Sequence, residues 1–227
     1  MIEFLMLDLD DTILDFHKSE RIGITKTLED FGLTATEEVL TTYSAINKSH
    51  WEMLERGELT REEVLTGRFS VLFQRFGMEV DATACARLYE QHLSVGHYFL
   101  PGAEEAVKRL SQKYRLFLVS NGTASVQDGR LTSAGLYPLF EIVFISQEIG
   151  YNKPAREYFD RCFTQIPGFD PKKAMIVGDS LTSDILGGIN AGITTCWVNP
   201  KGEPAGNIQP DYQIRSITEL EALLDSL

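Results

Sequence analysis

Cysteine is scarce in this chain. The three that occur, Cys85, Cys162 and Cys196, are scattered and odd in number. A disulfide framework needs paired cysteines, so this pattern argues against one and favours a reducing compartment, the cytoplasm. The four histidines show no metal-site spacing with these cysteines, which argues against a zinc centre.

Long apolar runs and an excess of positive charge are also missing. No hydrophobic stretch approaches the roughly 20 residues that a membrane helix needs, and the N-terminus lacks a signal-peptide pattern. The formal net charge is −12 at pH 7. We therefore expect neither a membrane protein nor a partner of nucleic-acid polymers. A small anion could still bind at a locally positive or metal-filled site.

The chain does have enough apolar residues for a substantial core, with 43% hydrophobic content over 227 residues. Between residues 16 and 99 the apolar positions follow a helical period and strand signals are scarce. Thr34 with Glu37, and Thr60 with Glu63, have the spacing of capping boxes. This pattern predicts an all-helical insert at 16–99 and a core formed by 1–15 and 100–227.

The flanking segments alternate between apolar strands and helices. Buried-strand patterns occur at residues 4–7, 116–119, 142–145, 174–177 and 195–198. This alternation predicts an α/β fold with a doubly wound parallel sheet. Pro154 is expected in the first turn of a helix, and residues 202–210 are expected to form a loop.

Polar clusters follow the strands where each strand ends. In open α/β sheets ligands bind beyond the carboxyl ends of the strands, so we expect these side chains to converge. The clusters are Asp8, Asp10, Asp11 and Thr12 after the first strand, Ser120-Asn121-Gly122 after the second, Lys153 beyond the third, and Asp179 with Asp184 after the fourth.

The charges of these residues favour a metal site. Asp8, Asp10, Asp179 and Asp184 would repel a phosphate, and Lys153 alone cannot compensate for them. One Mg²⁺ would neutralise the acids and polarise phosphoryl oxygens, with Ser120, Asn121 and Lys153 as donors to the phosphate. Taken singly, each residue has a simpler explanation, such as an acidic turn, a turn serine, a surface lysine or a helix cap. Their combination and order favour phosphoryl transfer.

The segments Asp8-Leu9-Asp10-Asp11-Thr12, Ser120, Lys153 and Gly178-Asp179-Ser180 through Asp184 resemble the four motifs of the haloacid dehalogenase superfamily. The resemblance covers the whole chain and implies a Rossmannoid sheet of order 5-4-1-2-3 with a type 1 helical cap at 16–99.

The resemblance also implies a role for each motif residue. Asp8 would be the nucleophile that forms an aspartyl-phosphate, and Asp10 would be the acid and base. Thr12 would orient Asp10 or the phosphate. Mg²⁺ would be held by Asp8, the main-chain carbonyl of Asp10 and Asp179, with Asp184 holding a metal-bound water.

The presence of Asp10 separates branches of this superfamily. Its dehalogenases lack an aspartate at that position, and halide displacement needs no proton donor, so phosphate chemistry is expected. A phosphomutase of the β-phosphoglucomutase type shares both aspartates and stays open. Asp11 departs from the glycine or glutamate that the family often has there, and we assign it no catalytic role.

The helical insert carries the substrate hypothesis. Asn47 lies between Tyr43 and Trp51 on an otherwise apolar helix face, and an amide beside an aromatic ring suits a nucleobase. His50 and Arg68 are further candidates. The alternative is that Tyr43 and Trp51 are cap core and Asn47 bonds a neighbouring helix. The sequence around Asn47, Trp51, Gly57 to Thr60 and Gly67-Arg68-Phe69 is similar to that of the YjjG-type noncanonical pyrimidine 5′-nucleotidases.

These observations lead to three functional hypotheses. The first is a Mg²⁺-dependent phosphatase of pyrimidine nucleoside monophosphates, acting as a monomer or weak dimer. The second is the same chemistry on a small metabolite such as phosphoglycolate or a sugar phosphate. The third is a non-catalytic phosphate-binding or regulatory protein, which the intact pair of Asp8 and Asp10 disfavours.

Overall fold

The computed structural model describes residues 1–227 and contains a six-stranded parallel sheet. The strands are β1 (Phe4–Leu7), β2 (Arg115–Ser120), β3 (Ile142–Ile145), β4 (Ala174–Gly178), β5 (Thr194–Val198) and β6 (Tyr212–Ile214). Their order is β3-β2-β1-β4-β5-β6. The doubly wound fold and the predicted order of the first five strands are confirmed. The short edge strand β6 was not predicted.

Helices occupy both faces of the sheet and the segment between β1 and β2. They are α1 (Phe16–Asp30), α2 (Glu37–Glu55), α3 (Arg61–Phe76), α4 (Ala82–Ser94), α5 (Ala103–Leu110), α6 (Ala124–Ala134), α7 (Ser146–Ile149), α8 (Arg156–Phe163), α9 (Leu186–Ala191) and α10 (Leu220–Asp225). No helix combines the length and the apolar character needed to cross a bilayer. The helix after Lys153 begins at Arg156, two residues later than expected, and the Lys153–Pro154 peptide bond is cis.

The central strand β1 is buried on both faces. Leu5 and Leu7 pack into one apolar layer, and Phe4 and Met6 pack into the layer on the other side. A strand between two parallel neighbours has no solvent-facing side, which explains its unbroken apolar sequence. Leu7 pairs with Leu118 of β2 and Val177 of β4, so these three strands end at the same edge of the sheet.

Helices α1–α4 pack around an apolar cluster of their own. Tyr43, Phe69 and Tyr89 meet at its centre with ring centroids 5.2–5.5 Å apart. The capping box of Thr60 and Glu63 is present at the start of α3, as predicted. The predicted capping box of Thr34 and Glu37 is wrong, because α2 begins at Glu37 and the preceding residue, Thr36, accepts the capping bond from Val39 N.

Two adjacent segments, residues 13–15 and 98–100, connect the helical insert to the sheet, and we call them the crossing segments. Leu14 and Phe99 form an antiparallel bridge between them. Main-chain bonds from Asp15 N to Tyr98 O at 2.7 Å and from Leu100 N to Ile13 O at 2.9 Å reinforce it. The insert therefore leaves and rejoins the core at one place, close to the carboxyl end of β1.

Candidate active site

One cavity lies at the carboxyl ends of β1, β2 and β4, between the sheet and the helical insert, and we call it the active-site cavity. Residues of the sheet region and of the helical insert both contribute to its wall. The predicted core residues that line it are Asp8, Asp10, Ser120, Asn121, Lys153, Asp179 and Asp184. Tertiary structure thus brings together side chains from four separate strand exits, as the positions of the polar clusters predicted.

Lys153 lies at the centre of the acidic residues. Its Nζ donates to Asp8 Oδ1 at 2.6 Å, to Asp184 Oδ1 at 2.6 Å and to the Val119 carbonyl at 2.9 Å. Lys153 and Asp184 are each only 1% exposed. Because an ammonium group has three hydrogens, these contacts use all of them. Lys153 can donate to a phosphate oxygen only by exchanging one of these partners.

Asp8, Asp179 and Asp184 form a set of possible metal ligands. One carboxylate oxygen from each lies within 4.8 Å of the others. Oxygen donors of this kind suit a hard divalent cation. The three carboxylates face a single ammonium group, that of Lys153, and this imbalance matches the charge of one divalent ion.

The pKa values of these acids point to the same need for a cation. Burial, opposed in part by Lys153 and reinforced by Asp184, raises the pKa of the Asp8 carboxyl to about 8. Burial and the charges of Asp8 and Asp184 also raise the pKa of Asp179 well above its usual range. For Lys153, burial alone would lower the pKa, but the two contacting acids outweigh it and leave it raised. A bound cation would keep the acids ionised, so the donor set fits a metal.

Local backbone structure places Asp184 in this cluster. The turn Leu181–Ile185 is π-helical, and Ser180, two residues beyond the end of β4, caps it. Asp184 Oδ2 accepts a hydrogen bond from Ser180 N at 3.1 Å. Gly178 leaves the space for this carboxylate, since a Cβ at that position would lie 2.2 Å from Asp184 Oδ2. The glycine at the end of β4 is therefore required by close packing.

Both oxygens of Asp10 are held by side chains of α6 that were not predicted as site residues. Gln127 Nε2 donates to Asp10 Oδ2 at 2.7 Å, and Arg130 forms an ion pair with Asp10 Oδ1 through Nη1. Gln127 and Arg130 are each 1% exposed and line the active-site cavity. Their one signal in the sequence is a polar pair three residues apart in the helix that follows Ser120.

Ser120 and Asn121 form different hydrogen bonds and have different roles in the site. Ser120 Oγ accepts bonds from Gly122 N at 3.0 Å and Gln127 Nε2 at 2.9 Å, which leaves its own hydroxyl hydrogen for a ligand. Asn121 donates to the carbonyl of Lys153 at 2.9 Å and accepts from its main-chain N at 2.8 Å. Asn121 therefore fixes the position of the loop that carries Lys153.

The expectation for Thr12 needs correction. Thr12 is fully buried, does not line the active-site cavity, and its hydroxyl has no hydrogen-bond partner, so it forms no hydrogen bond that would orient Asp10 and does not face the space where a phosphate could bind. Asp11 does line the cavity, and its φ of 54° lies in the left-handed region. That conformation favours glycine, asparagine and aspartate, which explains how Asp11 can stand where the family often has glycine.

The insert contributes an aromatic ring and charged groups to the cavity. Trp51, Arg68 and Glu90 line it, and Glu90 Oε1 is buried without a partner. Asn47 does not line the cavity, contrary to the expectation that it reads a base. Its amide donates to Glu20 Oε1 at 2.7 Å and accepts from Arg68 Nη1 at 2.7 Å, so it holds Arg68 in place instead.

Two side chains of the insert, Arg61 and Glu55, form hydrogen bonds with the core. Arg61, at the start of α3, donates to the carbonyls of Asn121 and Gly122 at 2.8 and 3.1 Å. Its other terminal nitrogen donates to Ser146 Oγ at 2.6 Å and Asn152 Oδ1 at 2.7 Å. A further bond of 2.7 Å joins Thr182 to Glu55. These bonds connect the insert to the loops that bear Ser120, Lys153 and Asp184.

The whole chain is similar to several known proteins. The chain is 39% identical over 222 residues to HAD-hydrolase YfnB of Bacillus subtilis, covering 97% of this chain and 94% of that one. A magnesium-bound crystal structure of YfnB matches with a TM-score of 0.94 over 99% of both chains. Pyrimidine 5′-nucleotidase PynA of Streptococcus pneumoniae is 37% identical, covering 98% of this chain and 95% of its own. Pyrimidine 5′-nucleotidase YjjG of Escherichia coli is 32% identical, with coverages of 98% and 97%.

The family assignment rests on the same residues as the site. Residues 5–198 match the family model described as haloacid dehalogenase-like hydrolase. That span begins in β1, just before Asp8, and ends with β5, so it contains every acid that faces the cavity from the core. The predicted superfamily and the prediction of a hydrolytic enzyme are confirmed. With four motifs converging on one cavity in the expected order, the chain belongs to the haloacid dehalogenase-like hydrolases.

Proposed function

We propose that this protein is a Mg²⁺-dependent phosphatase that hydrolyses nucleoside 5′-monophosphates, with a preference for pyrimidines. The observation that carries the proposal is the position of Asp10. Its carboxylate opens into the same cavity as Asp8, and both of its oxygens are held by α6. A second carboxylate beside the nucleophile suits a leaving group that needs a proton, such as a nucleoside alkoxide.

The reaction follows from the two aspartates. A carboxylate oxygen of Asp8 attacks the phosphorus, and the bond between phosphorus and the ester oxygen breaks. Asp10 donates a proton to that oxygen, which leaves as the nucleoside 5′-hydroxyl. Asp10 then takes a proton from water as the water attacks the phosphoryl group on Asp8. Phosphate leaves, and both aspartates return to their starting states.

Other residues prepare this site for a phosphate dianion. The free hydroxyl hydrogen of Ser120 is a donor for a phosphoryl oxygen, and the Lys153 ammonium offsets the charge of Asp8 and Asp184. Asp8, Asp179 and the main-chain carbonyl of Asp10 would hold Mg²⁺, with Asp184 beside them. When bound, the ion supplies positive charge that polarises the phosphoryl oxygens.

The preference for pyrimidine nucleotides rests on two kinds of support. PynA and YjjG are named as pyrimidine 5′-nucleotidases, and each aligns over nearly its whole length. Trp51 and Arg68 also face the cavity from the insert, where an indole ring can stack on a base and a guanidinium group can donate to a carbonyl oxygen. We therefore propose that residues 16–99 act as a cap domain that selects the substrate.

A panel of phosphate esters tests the proposal. Purified protein would be assayed with Mg²⁺, and with EDTA, for phosphate release from dUMP, dTMP, AMP, phosphoglycolate and sugar phosphates. We expect phosphate release in the presence of Mg²⁺ and none in EDTA. The pyrimidine nucleotides should be hydrolysed far faster than the sugar phosphates. The Asp8→Asn variant should lose this activity on every ester, because a carboxamide cannot form the acyl phosphate.

Other outcomes assign other functions. Preferential hydrolysis of phosphoglycolate or a sugar phosphate would indicate that the substrate is a small phosphorylated metabolite and not a nucleotide. Isomerisation of a sugar phosphate without release of phosphate would indicate a phosphomutase. Hydrolysis at the parental rate by the Asp8→Asn variant would refute the nucleophile assignment.

A further inference from the structure

We propose that Arg130 is a positioning residue that holds the carboxyl group of Asp10 ready for proton transfer and links it to the segment by which the cap rejoins the core. The inference rests on the proposed function, because it assigns Arg130 to the role of Asp10 as proton donor. Arg130 lies on α6, far in sequence from both groups that it connects.

The guanidinium group of Arg130 lies between two segments. Its Nη1 pairs with Asp10 Oδ1, and its Nε donates to the carbonyl of Gly96 at 2.9 Å. Arg130 is 1% exposed, whereas the Asp10 side chain is 28% exposed and faces the cavity. A fully desolvated guanidinium group is therefore directed at the one carboxylate that must exchange a proton with substrate.

Gln127 completes the arrangement one helical turn earlier. It donates to the second oxygen of Asp10 at 2.7 Å and to Ser120 Oγ at 2.9 Å, while its own Oε1 accepts from Arg130 Nη1 at 3.0 Å. With donors on both oxygens, the carboxyl group cannot rotate without breaking a bond. Fixed orientation of this kind is what general acid catalysis requires of the proton donor.

The bond to Gly96 relates this arrangement to the cap. Gly96 follows α4, the last cap helix, and precedes the second crossing segment. Gly129, next to Arg130, has no room for a side chain, since a Cβ would lie 2.6 Å from the carbonyl oxygen of Ser94 at the end of α4. The cap and α6 are therefore in close contact here. A displacement of α4 would move an acceptor of Arg130 and loosen its hold on Asp10.

Substrates with different leaving groups test the inference, because cleavage depends on a proton donor only when the leaving group is poor. We would measure kcat/KM for thymidine 5′-monophosphate, which releases an alkoxide, and for p-nitrophenyl phosphate, which releases a stabilised phenolate. The constant kcat/KM reports formation of the phospho-enzyme, so the later water step does not enter. The variants are Arg130→Met, Asp10→Asn and their combination, with the exposed Arg109→Met on α5 as the matched control.

We expect Arg130→Met to lower kcat/KM about 100-fold for the nucleotide and less than about fivefold for p-nitrophenyl phosphate. Asp10→Asn should show the same selectivity. The double variant should be no worse than Asp10→Asn, because two residues that act as one unit are not additive. Arg109→Met should resemble the parent on both esters.

Arg130→Lys keeps the proposal testable if the methionine variant does not fold. Lysine retains the charge, but its single ammonium group cannot reach both Gly96 and Asp10 as the guanidinium fork does. We expect a smaller loss with the same selectivity for the nucleotide. Melting temperatures of all variants would be recorded alongside the rates.

Two results would overturn the inference. One is an equal loss on both esters, which identifies Arg130 as a structural residue. The other is a double variant whose loss is the product of the two single losses. If Asp10→Asn is selective and Arg130→Met is not, the inference alone fails. If Asp10→Asn itself shows no selectivity, the proposed role of Asp10 fails, and the inference about Arg130 fails with it.

Discussion

Lys153 donates a hydrogen bond of 2.6 Å from Nζ to Oδ1 of Asp184, and so connects the loop between α7 and α8 with the turn after β4. The same ammonium group bonds Asp8. One buried ammonium group is therefore shared by two of the three acids of the possible metal site. The charge of Lys153 should influence folding stability and cation binding in opposite directions.

Replacing Lys153 by methionine should make the protein more dependent on a divalent cation. In EDTA the variant should lose about 3–5 kcal/mol of stability, because the buried acids lose their partner. Added Mg²⁺ should raise its melting temperature more than that of the parent, since the acids then bind the ion more tightly. Thermal unfolding with and without Mg²⁺ measures both effects. Lys173→Met, which removes an exposed pair with Glu3, is the control, and equal Mg²⁺ shifts in both variants would contradict this account.

Adding a methyl group at Gly178 should displace Asp184. In Gly178→Ala the new Cβ would lie 2.2 Å from Asp184 Oδ2, so the carboxylate or the turn must move. We expect a loss of about 1–3 kcal/mol in stability, as for other overpacked core positions. Weaker Mg²⁺ binding, measured by titration calorimetry, should accompany it.

Gly67→Ala is the matched control for this change. Gly67 lies within α3, and a Cβ there would meet only His50 at 3.5 Å, an ordinary contact. Alanine within a helix should stabilise by about 0.5–1 kcal/mol relative to glycine. If Gly178→Ala bound Mg²⁺ as tightly as Gly67→Ala, the close packing at the end of β4 would have no role in the site.

Removing the guanidinium group of Arg61 should weaken the seating of the cap. Arg61→Met loses four hydrogen bonds to core loops, including those to the carbonyls of Asn121 and Gly122. We expect kcat/KM for nucleotides to fall about tenfold, because the closed cap excludes water and completes the site. Steady-state kinetics check this, with Arg56→Met, an exposed arginine paired with Glu58, as control. Parental kinetics in Arg61→Met would show that these bonds do not limit closure.

Changing Asn47 should affect substrate choice through Arg68. Asn47→Ala leaves the buried Glu20 without its hydrogen-bond partner and leaves Arg68 with only its bond to the Leu65 carbonyl, at a cost of about 1–3 kcal/mol in stability. A less fixed Arg68 should also reduce the ratio of kcat/KM for dTMP to that for ribose 5-phosphate. Urea denaturation and the two rates test both parts. Ser49→Ala, on the exposed face of α2, is the control, and an unchanged ratio would remove Arg68 from base selection.

Much of the core site could be predicted because its signals are local. An unbroken apolar run followed by Asp8 and Asp10 specifies a buried strand and its exit, and parallel strands bring their exits to one edge. The boundaries of elements were less predictable. Thr36 rather than Thr34 caps α2, and α8 begins at Arg156 rather than Pro154. Both errors arise where several residues near a helix start could serve as the cap.

The sequence by itself determined the fold class and the set of acids at the strand ends, since strand period and motif spacing are properties of neighbouring residues. The order of the strands was implied by the resemblance to a known family. Only the tertiary structure decided that Arg130 reaches Asp10, that Asn47 turns inward to hold Arg68, and that Arg61 joins the cap to the core. These contacts join segments distant along the chain. Their geometry depends on how the helical insert and α6 pack against the rest of the chain, which a local sequence pattern does not specify.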